Sequence, residues 1–83
     1  MPQERLPKWK LGSRGLEREF LFPDFKGAME FVNRVATLAE SENHHPDIFI
    51  HHYNRVTVTT WTHSAAGVTE NDFTLASKID SLH

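Results

Sequence analysis

The sequence predicts an α+β domain: a four-stranded antiparallel sheet with helices packed on one face, in the order β-β-α-β-β-α. Three observations lead there. Two stretches alternate apolar and polar residues and are each broken by a turn signal, which reads as two hairpins. Two other stretches carry apolar residues at helical spacing, each after a capping residue. The chain has 83 residues, the length of one domain (residues 1–83), and each helix has one apolar stripe that a sheet face can cover.

The first hairpin starts at Trp9-Lys10-Leu11, turns through Gly12-Ser13-Arg14-Gly15 and returns with Leu16, Arg18, Phe20 and Phe22 on one side and Glu17 and Glu19 on the other. The Gly12 to Gly15 spacing also matches the GXXG clamp of an RNA-binding KH module, but that clamp joins two helices and this one lies between strands. After Pro23 the period changes. Asp24 is placed to cap a helix of four or five turns ending near Glu42, with its stripe on Phe25, Ala28, Met29, Val32, Val35, Ala36 and Ala39. Phe31 and Leu38 lie on the flank of that stripe and widen it, either for a deep core or for a subunit contact.

The second hairpin runs from Ile48 through His52, turns at Tyr53-Asn54 and returns from Arg55 to His63. Strand alternation puts Val56, Val58, Thr60 and Thr62 on one face and Thr57, Thr59, Trp61 and His63 on the other, and sends His51 and His52 to opposite sides. Thr69-Glu70-Asn71-Asp72 then resembles a capping box, and Leu75, Ala76, Ile79 and Leu82 continue at helical spacing.

Composition excludes several classes. The chain has no cysteine, so disulfides and cysteine-ligated metal sites are ruled out. A formal charge of −2 without a basic run leaves no electrostatic footprint for nucleic acid. Residues 1–15 hold no apolar core of a signal peptide, and no segment is long enough for a membrane span, so a cytoplasmic protein without a membrane partner is expected. A domain this small buries only about 60% of its unfolded surface. Self-association is therefore expected to add stability.

The unusual feature is histidine: five of the six fall in residues 44–63. Pro46 forces His45 out of helical geometry, so His44-His45-Pro46 occupies a helix-to-strand turn, where side chains can converge on a ligand. Glu40 lies four residues earlier, at the edge of the helix stripe. His63 is expected at the far end of the fourth strand. If those ends meet, three imidazoles and a carboxylate share one pocket, poised for acid–base chemistry because imidazole titrates near neutrality. Each residue also has an ordinary explanation: a surface histidine for His44, a solvated helix residue for Glu40, a simple cap for Asp72. Zinc ligation by His44, His45 and His63 with Asp72 or Glu40 is disfavoured, because adjacent histidines seldom reach one ion and no H-x-x-x-H pair is present.

Read together, Glu40-x3-His44-His45-Pro46, Tyr53-Asn54-x-Val56 and Thr62-His63-x3-Gly67-x-Thr69-x2-Asp72 resemble the signature of the pterin-4a-carbinolamine dehydratases. Trp9, Arg18-x-Phe20-x-Phe22-x-Asp24-Phe25, Ala28, Phe31, Val35-Ala36, Leu75-Ala76 and Ile79-Asp80 extend the resemblance almost to the C-terminus. It implies the same fold, usually as a homodimer or homotetramer. It also implies dehydration of 4a-hydroxytetrahydropterin to quinonoid dihydropterin, the step that recycles a tetrahydrobiopterin-type cofactor for aromatic amino-acid hydroxylases. Pterin is then substrate, and neither a cofactor nor a metal is expected. By position, His44, His45, His63 and Asp72 match catalytic residues of the family, with Glu40 and Pro46 as supporting or substrate-binding positions. Relatives carry a further helix before the Trp-bearing strand, whereas eight residues precede Trp9 here, so altered subunit contacts are expected. A non-catalytic oligomerisation or regulatory module, like the members that associate with a transcription factor, is the competing reading.

Overall fold

The computed structural model describes residues 6–83; the first five residues of the stretch read above as lacking an export signal lie outside them. Strands β1 (Lys10–Gly12) and β2 (Gly15–Leu21) form the first hairpin, helix α1 (Phe25–Glu42) follows, β3 (Asp47–His51) and β4 (Arg55–Thr60) form the second, and α2 (Glu70–Asp80) closes the fold. The four strands make one antiparallel sheet, as the two hairpins predict, and within it they lie in the order β1-β2-β4-β3. No helix among the described residues is long and apolar enough to cross a membrane.

The register explains the layering. Leu16 pairs with Thr60 and Phe20 with Val56 across β2 and β4, while Ile48 and Ile50 pair with Val58 and Val56 across β3 and β4. These side chains share one face. On it, Leu16, Phe20, Val56, Val58 and Thr60 are buried beneath Ala28, Phe31, Val35 and Ala39 of α1 and Leu75, Ala76 and Ile79 of α2. The opposite face carries Glu17, Glu19, Phe49, His51, Thr57 and Thr59, and there Phe49 is exposed.

Local chemistry sets the boundaries. The Asp24 carboxylate accepts from Gly27 N–H at 2.7 Å and starts α1; Asn43, in the left-handed region at φ 53°, ends it with its N–H on the Ala39 and Glu40 carbonyls. Gly15 has φ 126°, and a Cβ there would overlap the Thr60 carbonyl, so only glycine fits where β2 leaves the turn. Trp9, just before β1, is buried. Its indole N–H and Arg18 both donate to Asp80 Oδ1, at 2.8 and 2.6 Å, tying the first hairpin to the end of α2.

Three expectations need correction. Phe31 is not a flank residue: it packs at 4.7 Å from the Phe20 ring and 5.0 Å from the Phe22 ring, while Phe25 and Ala36 face outward. The broad apolar arc allowed two orientations, and the one that packs the Phe31 ring against those of Phe20 and Phe22 is adopted. β4 ends at Thr60, not at His63; Thr62 makes an isolated bridge to Gly67, and His63 opens a one-turn 3₁₀ segment, His63–Ala65. His51 and His52 do not point apart, because His52 lies beyond β3 with φ 51°, and its Nδ1 reaches to 2.8 Å from Nδ1 of His51. A left-handed residue cancels the strand alternation that would have separated them.

Candidate active site

The site lies at one end of the sheet, where α1 hands over to β3 and β4 hands over to the 3₁₀ segment. Two short connections therefore face each other. The first presents His44, His45 and Pro46; after the Asn43 turn, the His44 amide still bonds back to Ala39 O at 3.1 Å, which fixes where the imidazoles emerge. The second presents Trp61, Thr62 and His63.

At the base is Asp72, wholly inaccessible to solvent although it is a carboxylate on the first turn of α2. A buried carboxylate needs donors, and it has four. Oδ1 accepts from Thr60 at 2.5 Å and pairs with His44 Nε2 at 2.6 Å; Oδ2 accepts from Thr62 at 2.6 Å and from the Thr69 N–H at 2.9 Å. The last contact is half of the capping box expected from the sequence, completed by the Thr69 side chain. Burial alone pushes the Asp72 carboxyl up, but the bonds from Thr60, Thr62, His44 and Thr69 outweigh it and hold the pKa below the ordinary carboxylate value. Asp72 is thus ionised at neutral pH. An ionised carboxylate can only accept, so the hydrogen on His44 resides on Nε2 and leaves Nδ1 as the ring's second nitrogen.

His45 pairs through Nε2 with the Glu40 carboxylate, both largely exposed. His44, His45, Pro46, Asp47, Trp61 and His63 line a cleft of about 500 Å³, a volume within the range of small-molecule sites. A neighbouring hollow of about 240 Å³ shares His45, Asp47, Trp61 and His63 and extends to Ser13 and Arg14 in the first hairpin turn. His63 is exposed and forms no side-chain hydrogen bond or ion pair among the described residues.

The three imidazoles anticipated from sequence therefore share one cleft. The carboxylates divide: Asp72 sits beneath His44, Glu40 holds His45 at the rim, and Asp47 is the one in the lining. Thr60, Trp61 and Asp47 were not singled out from sequence, and Thr62 entered only as a position of the signature. A signal for the threonines existed, since alternation places two hydroxyls on the apolar face, where each needs a buried acceptor. Among the described residues no buried side-chain polar atom lacks a partner.

Comparison with known proteins agrees with the fold and identifies the family. The sequence profile of the pterin 4 alpha carbinolamine dehydratases matches residues 2–82. A protein of Acidobacterium capsulatum is 53% identical over 93% of this chain and 83% of its own length. One from Sulfurisphaera tokodaii is 47% identical over 94% of this chain and 83% of its own length. Both are provisionally named pterin-4-alpha-carbinolamine dehydratases. A crystal structure from Brucella melitensis, described as a transcriptional coactivator/pterin dehydratase, superposes with a TM-score of 0.89 at 38% identity, covering 98% of this chain and 87% of the other. A pterin dehydratase-like protein identified as a RuBisCO assembly factor in the alpha-carboxysome shares the fold, with a TM-score of 0.75 at 22% identity over 90% of this chain and 88% of the other. With a profile spanning nearly every residue and relatives of this identity over most of their length, the chain belongs to the pterin 4 alpha carbinolamine dehydratase family.

Proposed function

We propose that the protein dehydrates 4a-hydroxytetrahydropterin to quinonoid dihydropterin and water, in recycling of a tetrahydrobiopterin-type cofactor in the cytoplasm, and that it works as a homodimer or homotetramer. The observation that carries this reading is the His44 imidazole, aligned by a buried ionised Asp72 beside the cleft that His45 and His63 also line.

The substrate carries a hydroxyl on C4a next to N5–H. Elimination removes the N5 proton, forms the C4a=N5 bond and breaks C4a–O as the hydroxyl takes up a proton. His44, with Nε2–H committed to Asp72, offers Nδ1 as the base for the N5 proton. His63 supplies the proton to the departing hydroxyl. His45, braced by Glu40, positions the pterin with Pro46 against it. The electron pair on N5 expels the leaving group, so proton transfer is the assistance the step calls for, with a typical gain of about 10²–10⁴-fold.

A second reading draws on the Brucella neighbour's double description: a regulatory binding module on the same fold. Stopped-flow decay of freshly generated 4a-hydroxytetrahydropterin separates the two. Acceleration by the wild type, falling at least about tenfold in His44→Ala and in His63→Ala, supports the dehydratase. No acceleration by folded wild type, or full activity in both variants, would sink it.

A further inference from the structure

The smaller hollow beside the cleft takes no part in the proton transfers, and its walls carry different chemistry. Glu17, Thr59 and Asp47 stand in one row across the outer face of the sheet, each on its own strand. Thr59 is buried and donates its hydroxyl to Glu17 at 2.9 Å, which leaves its oxygen as an acceptor. Trp61 lies two residues beyond it. Ser13 and Arg14 close the hollow from the first hairpin turn, which is held tightly there: a Cβ on Gly15 would meet the Cβ of Trp61 at 3.3 Å. Arg14 and Asp47 both line this hollow, yet among the described residues neither makes an ion pair or a side-chain hydrogen bond.

Resting on the dehydratase reading, we propose that this hollow is the subsite for the substituent on C6 of the pterin, and that Arg14 and Asp47 determine specificity there by selecting a short hydroxylated chain. The connection to the reaction is positional. C6 is bonded to N5, the atom whose proton His44 removes, and His45, Asp47, Trp61 and His63 line both the cleft and the hollow. A ring seated with N5 against the histidines therefore sends its C6 substituent toward that shared wall. Size agrees: about 240 Å³ is below the roughly 300–1,000 Å³ of sites that hold a whole small molecule, so the hollow suits part of one.

Charge selects the chemical class. A guanidinium only donates and a carboxylate only accepts. An anionic substituent would suit Arg14 but meet Asp47, with Glu17 behind Thr59. A cationic one would suit the carboxylates but meet Arg14, and a methyl group would leave both unpaired. A hydroxyl does both: two neighbouring hydroxyls can donate to Asp47 and accept from Arg14, with the Ser13 and Thr59 oxygens beside them and the Trp61 indole against the carbons. Arg14 and Asp47 touch only the substituent in this arrangement, so their contribution is equal in the bound substrate and in the transition state. It belongs to KM, not kcat.

The test compares three 4a-hydroxytetrahydropterins, carrying at C6 a methyl group, a dihydroxypropyl chain or the same chain as a phosphate ester, in stopped-flow assays of the full chain. Wild type should favour the dihydroxypropyl substrate in kcat/KM over both others. Arg14→Ala and Asp47→Ala should each lower its advantage over the methyl substrate by about tenfold, the scale of one hydrogen bond to a charged group, through KM. An equal kcat/KM for the methyl and dihydroxypropyl substrates in wild type overturns the proposal, as does an advantage that survives in both folded variants. A preference for the phosphate ester overturns it too, and makes the hollow an anion site. Turnover of none of the three by folded wild type would refute the dehydratase reading instead. Equilibrium dialysis of the matching 7,8-dihydropterins then decides the subsite: a preference for the dihydroxypropyl chain that Arg14→Ala abolishes upholds it, and equal binding overturns it.

Discussion

The His44 Nε2 atom lies 2.6 Å from Oδ1 of Asp72, and the same carboxylate closes the capping box of α2. Orientation of an imidazole and the start of a helix therefore depend on one side chain. Asp72→Asn keeps the shape but turns an acceptor-only group into one that also donates, facing the donors of Thr60, Thr62 and Thr69. The expected loss is about 3–5 kcal/mol, the scale for breaking a buried ionic contact, read by denaturant unfolding. Turnover should fall too, within the 10²–10⁴-fold range typical of acid–base assistance.

Acid sensitivity follows from the same residue. The folded pKa of Asp72 is depressed, so the unfolded chain takes up the proton more readily. The stabilisation is complete above the unfolded value of about 3.9 and is lost as pH falls through the lower folded value. Thr60→Val and Thr62→Val each remove a bond that depresses this pKa. Each should move the acid-unfolding midpoint to higher pH and cost about 1–3 kcal/mol at neutral pH, as urea titrations across pH would show.

The core orientation predicts a contrast between two phenylalanines on α1. Phe31→Ala removes a ring packed at a tilt against Phe20 and Phe22 and should cost about 3–5 kcal/mol. Phe25→Ala, at a position 53% exposed, should stay within about 0.5 kcal/mol. Thermal melts decide it, since about 4–8 °C per kcal/mol is expected for a domain of this size.

Gly15→Ala should destabilise by about 1–3 kcal/mol, the scale of local backbone strain, because its φ is 126° and a Cβ would press on the Thr60 carbonyl. Thr60 also donates to Asp72. Turnover is therefore expected to fall along with the melting temperature, although residue 15 lines neither the cleft nor the Asp72 network.

Element types and order were legible because periodicity is local: alternation marked β2 and β4, Asp24 and Thr69 marked the helix starts, and both caps form. What remained hidden depended on rotation or on one residue's backbone. Phe31 and Phe25 are both compatible with a wide apolar arc, and only the position of the Phe20 and Phe22 rings chooses between them. The left-handed conformation of His52 has no marker in its side chain, so strand alternation sent His51 and His52 apart. In the site, the histidines were visible as a cluster and Asp72 as a cap. That one carboxylate serves both requires Thr60 and Thr62 to meet α2 across the fold, a long-range fact that spacing does not encode.

Asp72 answers to two masters, and this bears on how function is lost in descent. A lineage that abandoned the reaction would still need an acidic residue there to begin α2 and to receive two buried hydroxyls, so selection for folding alone would keep it. His63 has no such second employment: exposed and unpartnered among the described residues, it would be free to drift once turnover ceased. Among related chains, the residue at the position of His63 should therefore distinguish working enzymes from retired scaffolds, whereas the residue at the position of Asp72 should report only that the fold is intact.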